Sequence, residues 1–127
     1  MKIKESAENY LETIYMLKSK KGNVRSIDIV NELEFTKPSV SIAMKNLREN
    51  GYITVNEDGF ICLTPLGLKI AKDMYERHTL LTENLISIGV TEEVEKTDAC
   101  RIEHVISEET FEKLKRIWYN IYIRKMK

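Results

Sequence analysis

Residues 25 to 64 read RSIDIVNELEFTKPSVSIAMKNLRENGYITVNEDGFICLT, and this stretch decides the fold. Ile27, Ile29, Val30 and Leu33 mark a short helix that opens at Ser26. Glu34-Phe35-Thr36-Lys37 is a turn, after which Pro38, tolerated only in a first helical turn, opens another helix. Val40, Ala43, Met44 and Leu47 recur at helical spacing as its buried face, so Ser39, Ser41, Ile42, Lys45 and Asn46 point away from the core. Asn50-Gly51 stops it. Tyr52 to Val55 and Phe60 to Leu63 flank the turn residues Glu57-Asp58-Gly59, which predicts a β-hairpin. Two helices about a tight turn, then a hairpin, are the parts of a winged helix-turn-helix, whose second helix enters the DNA major groove.

Upstream, Ala7, Tyr10, Leu11, Ile14 and Leu17 follow a capping Ser6 and predict an amphipathic first helix over residues 6 to 20. Downstream, Thr64-Pro65 pairs a cap with a first-turn proline and opens a long helix through Leu68, Ala71, Tyr75, His78 and Leu81, in a region closed by Gly89. Thr91 starts a short acidic helix carrying Glu92, Glu93 and Glu95, and Asp98 to Ile106 forms the next. Ser107-Glu108-Glu109 caps the last, which runs through Phe111, Leu114 and Trp118. Its basic end, residues 124 to 127, reads as a frayed helix end. The expected fold is mainly α with a small β-hairpin: a winged helix-turn-helix domain over residues 1–64, then an all-helical domain over residues 65–127.

With 127 residues, 43% hydrophobic and 31% charged, the chain can bury a core of ordinary size. No apolar run approaches the roughly 20 residues that span a bilayer, and the first five residues, with two lysines and a glutamate, do not start a signal peptide. A cytoplasmic protein with no membrane partner is the expectation. Cys62 and Cys100 form no CxxC motif, which argues against a disulfide framework and a zinc knuckle; Cys62 is expected to fill the pleat of its strand. Lys plus Arg and Asp plus Glu balance at 20 each, so no global field attracts nucleic acid. Residues 35 to 48 nevertheless carry Lys37, Lys45 and Arg48 and no acid. If double-stranded DNA is the partner, affinity comes from that local patch and from dimerisation. The contact set expected on it is Ser26, Thr36, Lys37, Pro38, Ser39, Ser41, Ile42 and Lys45. Ile42 on the polar face could meet a thymine methyl, whereas a helix facing only water gains nothing from it.

Cys100, Glu103 and His104 stand at i, i+3 and i+4, which puts a thiolate, a carboxylate and an imidazole on one helical face. That donor set suits a divalent transition ion such as Fe(II), Mn(II), Co(II), Ni(II) or Zn(II). Taken singly, Cys100 reads as a small buried hydrophobe and His104 as a structural histidine; together, with Glu12 and His78 to supply further donors, they read as ligands. Asn9 lies one turn before Glu12 and shares its face. A metal site outside a DNA reader suggests a switch in which the ion, joining the first helix to the Cys100 helix, controls operator binding. One alternative is a winged-helix regulator that senses oxidation or a small molecule through Cys100. A metal-dependent hydrolase using Glu103 as base is disfavoured, because no oxyanion device is visible.

The chain resembles the diphtheria toxin repressor family of metal-dependent transcriptional regulators, including its manganese transport regulator branch. The resemblance is nearly full length. It rests on residues 6–15 (SAENYLETIY), Lys37-Pro38-Ser39-Val40-Ser41, Leu63-Thr64-Pro65-Leu66-Gly67, Arg77-His78 and residues 98–105 (DACRIEHV), the last being the most specific. It implies a homodimeric repressor of metal-homeostasis genes, with an N-terminal DNA-binding domain and a C-terminal metal-binding and dimerisation domain, lacking the third, small β-barrel domain of longer members. It implies no enzymatic activity and Fe(II) or Mn(II) as the ion. Glu12, His78, Cys100, Glu103 and His104 fall on family metal ligands, and Asn9 falls where iron-responsive members have Met and manganese-responsive ones Asp. Cys100 is thus of the iron type, Glu12 of the manganese type and Asn9 of neither. Thr82 and Lys96 stand where the Glu and His of the family's ancillary site would be. The resemblance therefore implies one well-formed site per subunit and a weaker second ion through Glu12 and His78.

Overall fold

The computed structural model describes residues 5–126; residues 1–4, the side chains of 122–126 and residue 127, and with them the expectations for the chain's start and its basic tail, lie outside the described residues. The chain forms two compact units, Met1–Tyr75 and Glu76–Lys127. Its elements are α1 (Glu5–Lys21), α2 (Ser26–Leu33), α3 (Lys37–Glu49), β1 (Ile53–Val55), β2 (Ile61–Leu63), α4 (Pro65–Ser87), α5 (Glu92–Val105) and α6 (Glu108–Met126).

In the first unit α1 turns Tyr10, Leu11, Ile14 and Leu17 inward at helical spacing. Glu5, which precedes Ser6, is already helical, so Ser6 does not cap α1. Between α2 and α3 the chain turns through Glu34, whose φ of 57° is left-handed. Thr36 then caps α3, its Oγ1 accepting from the Ser39 N–H at 3.3 Å, with Pro38 in the first turn. Asn50-Gly51 ends that helix as expected, Tyr52 N–H reaching back to the Leu47 carbonyl at 3.0 Å. Leu11, Ile14, Val24, Ile29, Val40, Ile53 and Ile61 are completely or almost completely buried. Each such side chain contributes about 1.5–3 kcal/mol on leaving water.

The hairpin pairs Ile53 with Leu63, Thr54 with Cys62 and Val55 with Ile61, antiparallel. Asn56 shapes its turn by accepting from the Asp58 and Phe60 N–H groups, both at 2.9 Å, and Gly59 supplies the positive φ. Ile61 also donates to the Val24 carbonyl at 2.7 Å, which ties the hairpin to the segment before α2. The register corrects one expectation: Cys62 faces outward and is exposed, because Ile61 takes the inward position and neighbours alternate along a strand.

In the second unit α4 continues unbroken to Ser87, and Gly89 with φ 96° closes it while Val90 N–H bonds the Leu85 carbonyl. The short acidic helix and its expected successor are one helix, α5, with Asp98 in its interior. No Gly or Pro interrupts residues 92–105, so nothing breaks the helical ladder there. Ser107 caps α6, its Oγ accepting from the Thr110 N–H at 3.1 Å. Among the described residues, no helix is long and apolar enough to cross a membrane.

Candidate metal centre and nucleic-acid interface

The inward stripe of α5 is Glu95, Ala99 and Glu103, at i, i+4 and i+8. A helix that buries two carboxylates and an alanine is not held by apolar packing along that stripe, so its acids need partners of another kind. Cys100 and His104 follow Ala99 and Glu103 by one residue, which places them at the edge of the stripe. The result is the expected cluster: donor atoms of Cys100, Glu103 and His104 lie within 4.8 Å of one another.

Glu103 is 0% exposed, and among the described residues neither of its carboxylate oxygens receives a hydrogen bond. An imidazole nitrogen stands near each: Nδ1 of His78, from α4, at 3.3 Å from Oε2, and Nε2 of His104 at 3.5 Å from Oε1. A cation placed among them would be attracted to the carboxylate and to the lone pair that each neutral imidazole offers. The thiolate, carboxylate and imidazole of Cys100, Glu103 and His104 therefore fit a divalent transition metal by donor chemistry and by burial, and the His78 imidazole stands against the same carboxylate. The second unit thus brings together Cys100, Glu103 and His104 of the six residues expected to bind metal, and sets a fourth, His78, beside Glu103.

Asn9 and Glu12 lie in the first unit, both half-buried on α1, with Glu12 Oε2 shielded from solvent where an ordinary surface acid would be exposed. The Asn9 backbone carbonyl accepts from Thr13 Oγ1 at 2.8 Å. Of the two positions read as a degraded ancillary site, Lys96 is exposed and pairs with Glu92 at 3.5 Å, one turn earlier on the same helix. Thr82 is half-buried with its hydroxyl shielded from solvent.

Arg77 precedes His78 in the chain and is a functional residue that its sequence neighbourhood does not mark. Its Nη1 donates to the carbonyls of Glu103 at 3.2 Å and Ile106 at 2.9 Å, and its guanidinium carbon lies 5.3 Å from the centre of the Phe111 ring. No pattern of spacing signals such a contact, because all its acceptors are backbone groups far away in sequence.

The outward face of α3 is as expected. Lys37, Pro38, Ser39, Ser41, Ile42, Lys45 and Asn46 are all exposed, while Val40, Met44 and Leu47 are buried. Thr36 is exposed at the cap, and Ser26 is half-buried at the start of α2. Ile42, at 63% exposure, is an aliphatic side chain on an otherwise polar face.

Comparison with known proteins gives two family matches. Residues 2–59 match the N-terminal DNA-binding domain of iron-dependent repressors, and residues 64–121 match their metal-binding and dimerisation domain. The transcriptional regulator MntR of Salmonella typhimurium is 32% identical over 109 residues, covering 86% of this chain and 69% of the relative. The HTH-type transcriptional regulator MntR of Bacillus pumilus is 39% identical over 102 residues, covering 80% of this chain and 71% of the relative. Among solved structures, IdeR of T. acidophilum superposes with a TM-score of 0.73 at 28% identity, over 92% of this chain and 55% of that one. The manganese regulator SloR shares the fold with a TM-score of 0.77 at 23% identity, over 87% of this chain and 52% of that one. The chain spans about half the length of these solved structures. None of these likenesses supports the redox-sensing alternative.

Proposed function

The chain belongs to the iron-dependent repressor family of metal-dependent, DNA-binding transcriptional repressors, and from that premise we propose that it represses metal-homeostasis genes when Cys100, Glu103, His104 and His78 hold Fe(II) or Mn(II). The observation that carries this reading is the sealed Glu103 carboxylate with an imidazole nitrogen at each oxygen. When bound, the ion supplies positive charge that offsets the buried carboxylate and draws thiolate and imidazoles to it. Asn9 and Glu12 enter the proposal as further oxygen donors on the strength of the family resemblance.

The functional division follows the sequence: residues 1–64 read double-stranded operator DNA and residues 65–127 hold the metal and dimerise. Thr36, Lys37, Pro38, Ser39, Ser41, Ile42 and Lys45 present the reading face, and Ser26 adds a contact at the start of α2. Dimerisation gives the second reading helix that a two-fold operator needs, with half-sites about one helical turn apart. The second unit leaves Ile86, Ile88, Val94, Val105, Ile117 and Tyr119 exposed, apolar side chains that a second copy of the chain could cover. The protein acts in the cytoplasm and is not an enzyme.

The test is anaerobic fluorescence anisotropy at fixed salt. Chelator-treated protein is titrated onto duplex DNA selected from a random pool by the metal-loaded protein, with Fe(II) and Mn(II) added in separate runs. Coupling of the usual size, about 1–3 kcal/mol, tightens binding roughly 5- to 150-fold. Binding indifferent to both ions would overturn the proposal.

A further inference from the structure

We infer that Arg77 is a positioning residue for the metal-binding face of α5, an inference that rests on the reading of Cys100, Glu103, His104 and His78 as ligands. The last carbonyls of a helix have no partners within it and carry the negative end of the helix dipole. At the end of α5 only part of this need is met locally, by the Ile106 N–H on the Ile102 carbonyl. Arg77 reaches across from α4 and donates to the carbonyls of Glu103 and Ile106. One of these belongs to a ligand residue, and Arg77 itself precedes the ligand His78 in the chain.

The same guanidinium lies over Phe111, which is 4% exposed near the start of α6. Arg77 therefore joins three helices at one point: α4 beside His78, α5 at Glu103 and α6 at Phe111. That junction sets how far His78 stands from Glu103 and His104, and a metal site loses affinity when its donors are off by about 0.5 Å. Both hydrogen bonds leave Nη1, the far end of a long side chain whose flat guanidinium packs on the Phe111 ring; a lysine ammonium has donors enough but neither that flat face nor that reach, so lysine does not replace arginine here.

Electrostatics gives the inference a sign that can be tested. A guanidinium near a metal repels it, so if charge were its main effect, removing it would tighten metal binding. Positioning has the opposite consequence. Outer partners of metal ligands are typically worth about 10- to 100-fold in metal affinity.

The experiment measures the Co(II) affinity of the full chain, freed of metal, by competition with a chromogenic chelator. Parent, Arg77→Met and Arg77→Lys are compared, with thermal unfolding of each metal-free protein alongside. Both variants are expected to bind Co(II) about 10-fold or more weakly at a temperature where each is folded. Arg77→Lys, which keeps the charge and loses the planar group, decides the matter if Arg77→Met does not fold. Parental or tighter Co(II) affinity, with or without a lower Tm, would overturn the positioning role. A parent that binds no Co(II) would overturn the ligand reading and this inference with it.

Discussion

Gly67 lies so close to Tyr52 that a Cβ added to it would stand 2.0 Å from the Tyr52 carbonyl oxygen. That oxygen already accepts from the Thr64 N–H at 3.1 Å, and Thr64 Oγ1 donates to the Gly51 carbonyl at 2.7 Å. The first turn of α4 is thereby pressed onto the backbone that leaves α3. In an open helix Gly67→Ala would stabilise by about 1 kcal/mol. Here the clash outweighs propensity, and a net loss of about 1–3 kcal/mol is expected, the usual range for overpacking. Urea denaturation checks it; an alanine variant as stable as the parent would contradict the close approach.

Much of the fold could be read in the sequence because its signals are local. Pro38 after Thr36, the Asn50-Gly51 stop, and the turn at Glu57-Asp58-Gly59 each act on their own stretch of backbone. The cluster on α5 was equally legible, since helical spacing alone brings Cys100, Glu103 and His104 together. What the sequence did not reveal depends on distant partners. The outward direction of Cys62 follows from a register fixed by the burial of Ile53 and Ile61, and the continuity of α5 past Asp98 overrides an apparent cap. The contacts of Arg77 are with backbone carbonyls that no residue pattern marks.

Asp28 makes the first unit sensitive to acid. Its carboxylate is held below the ordinary aspartate range, first by the hydrogen bond from Lys21 and then by that from the Arg25 N–H at 2.8 Å. A carboxyl with a depressed pKa contributes stability that is fully present above its unfolded value, about 3.9, and is lost as pH falls through its folded value. Asp28→Asn is therefore expected to lower Tm at pH 7 and to flatten the fall in Tm below about pH 4. Parallel Tm-against-pH curves for parent and variant would remove Asp28 from the acid response.

Cys100 is half-buried and belongs to no disulfide, so its replacement should leave the helices intact. Thiolate bound to Co(II) gives a charge-transfer absorption that oxygen and nitrogen ligands do not. Titrating the parent with Co(II) is expected to produce this band, and Cys100→Ala should lack it and lose the metal response of DNA binding while keeping its far-ultraviolet circular dichroism. A variant that still tightens on DNA with metal as the parent does would show that Cys100 is not a ligand.

Lys45 and Ile42 share the exposed face of α3 and are expected to act on DNA in different ways. A lysine on a phosphate adds affinity without regard to sequence, so Lys45→Ala should weaken all duplexes alike, reduce the salt dependence by about one ion and leave metal affinity unchanged. Ile42 offers only apolar contact, and the base-pair feature in the major groove that uses it is the thymine methyl. Burying one such methyl is worth about 0.8 kcal/mol, or roughly 4-fold in affinity. Replacing thymines of a selected duplex by uracil, one at a time, removes that methyl and nothing else. The parent should lose about this factor at one position in each half-site, and Ile42→Ala should lose nothing there. Uracil scans that coincide for the two proteins would exclude Ile42 from base reading, and equal DNA affinity of Lys45→Ala and parent would exclude Lys45 from the contact set.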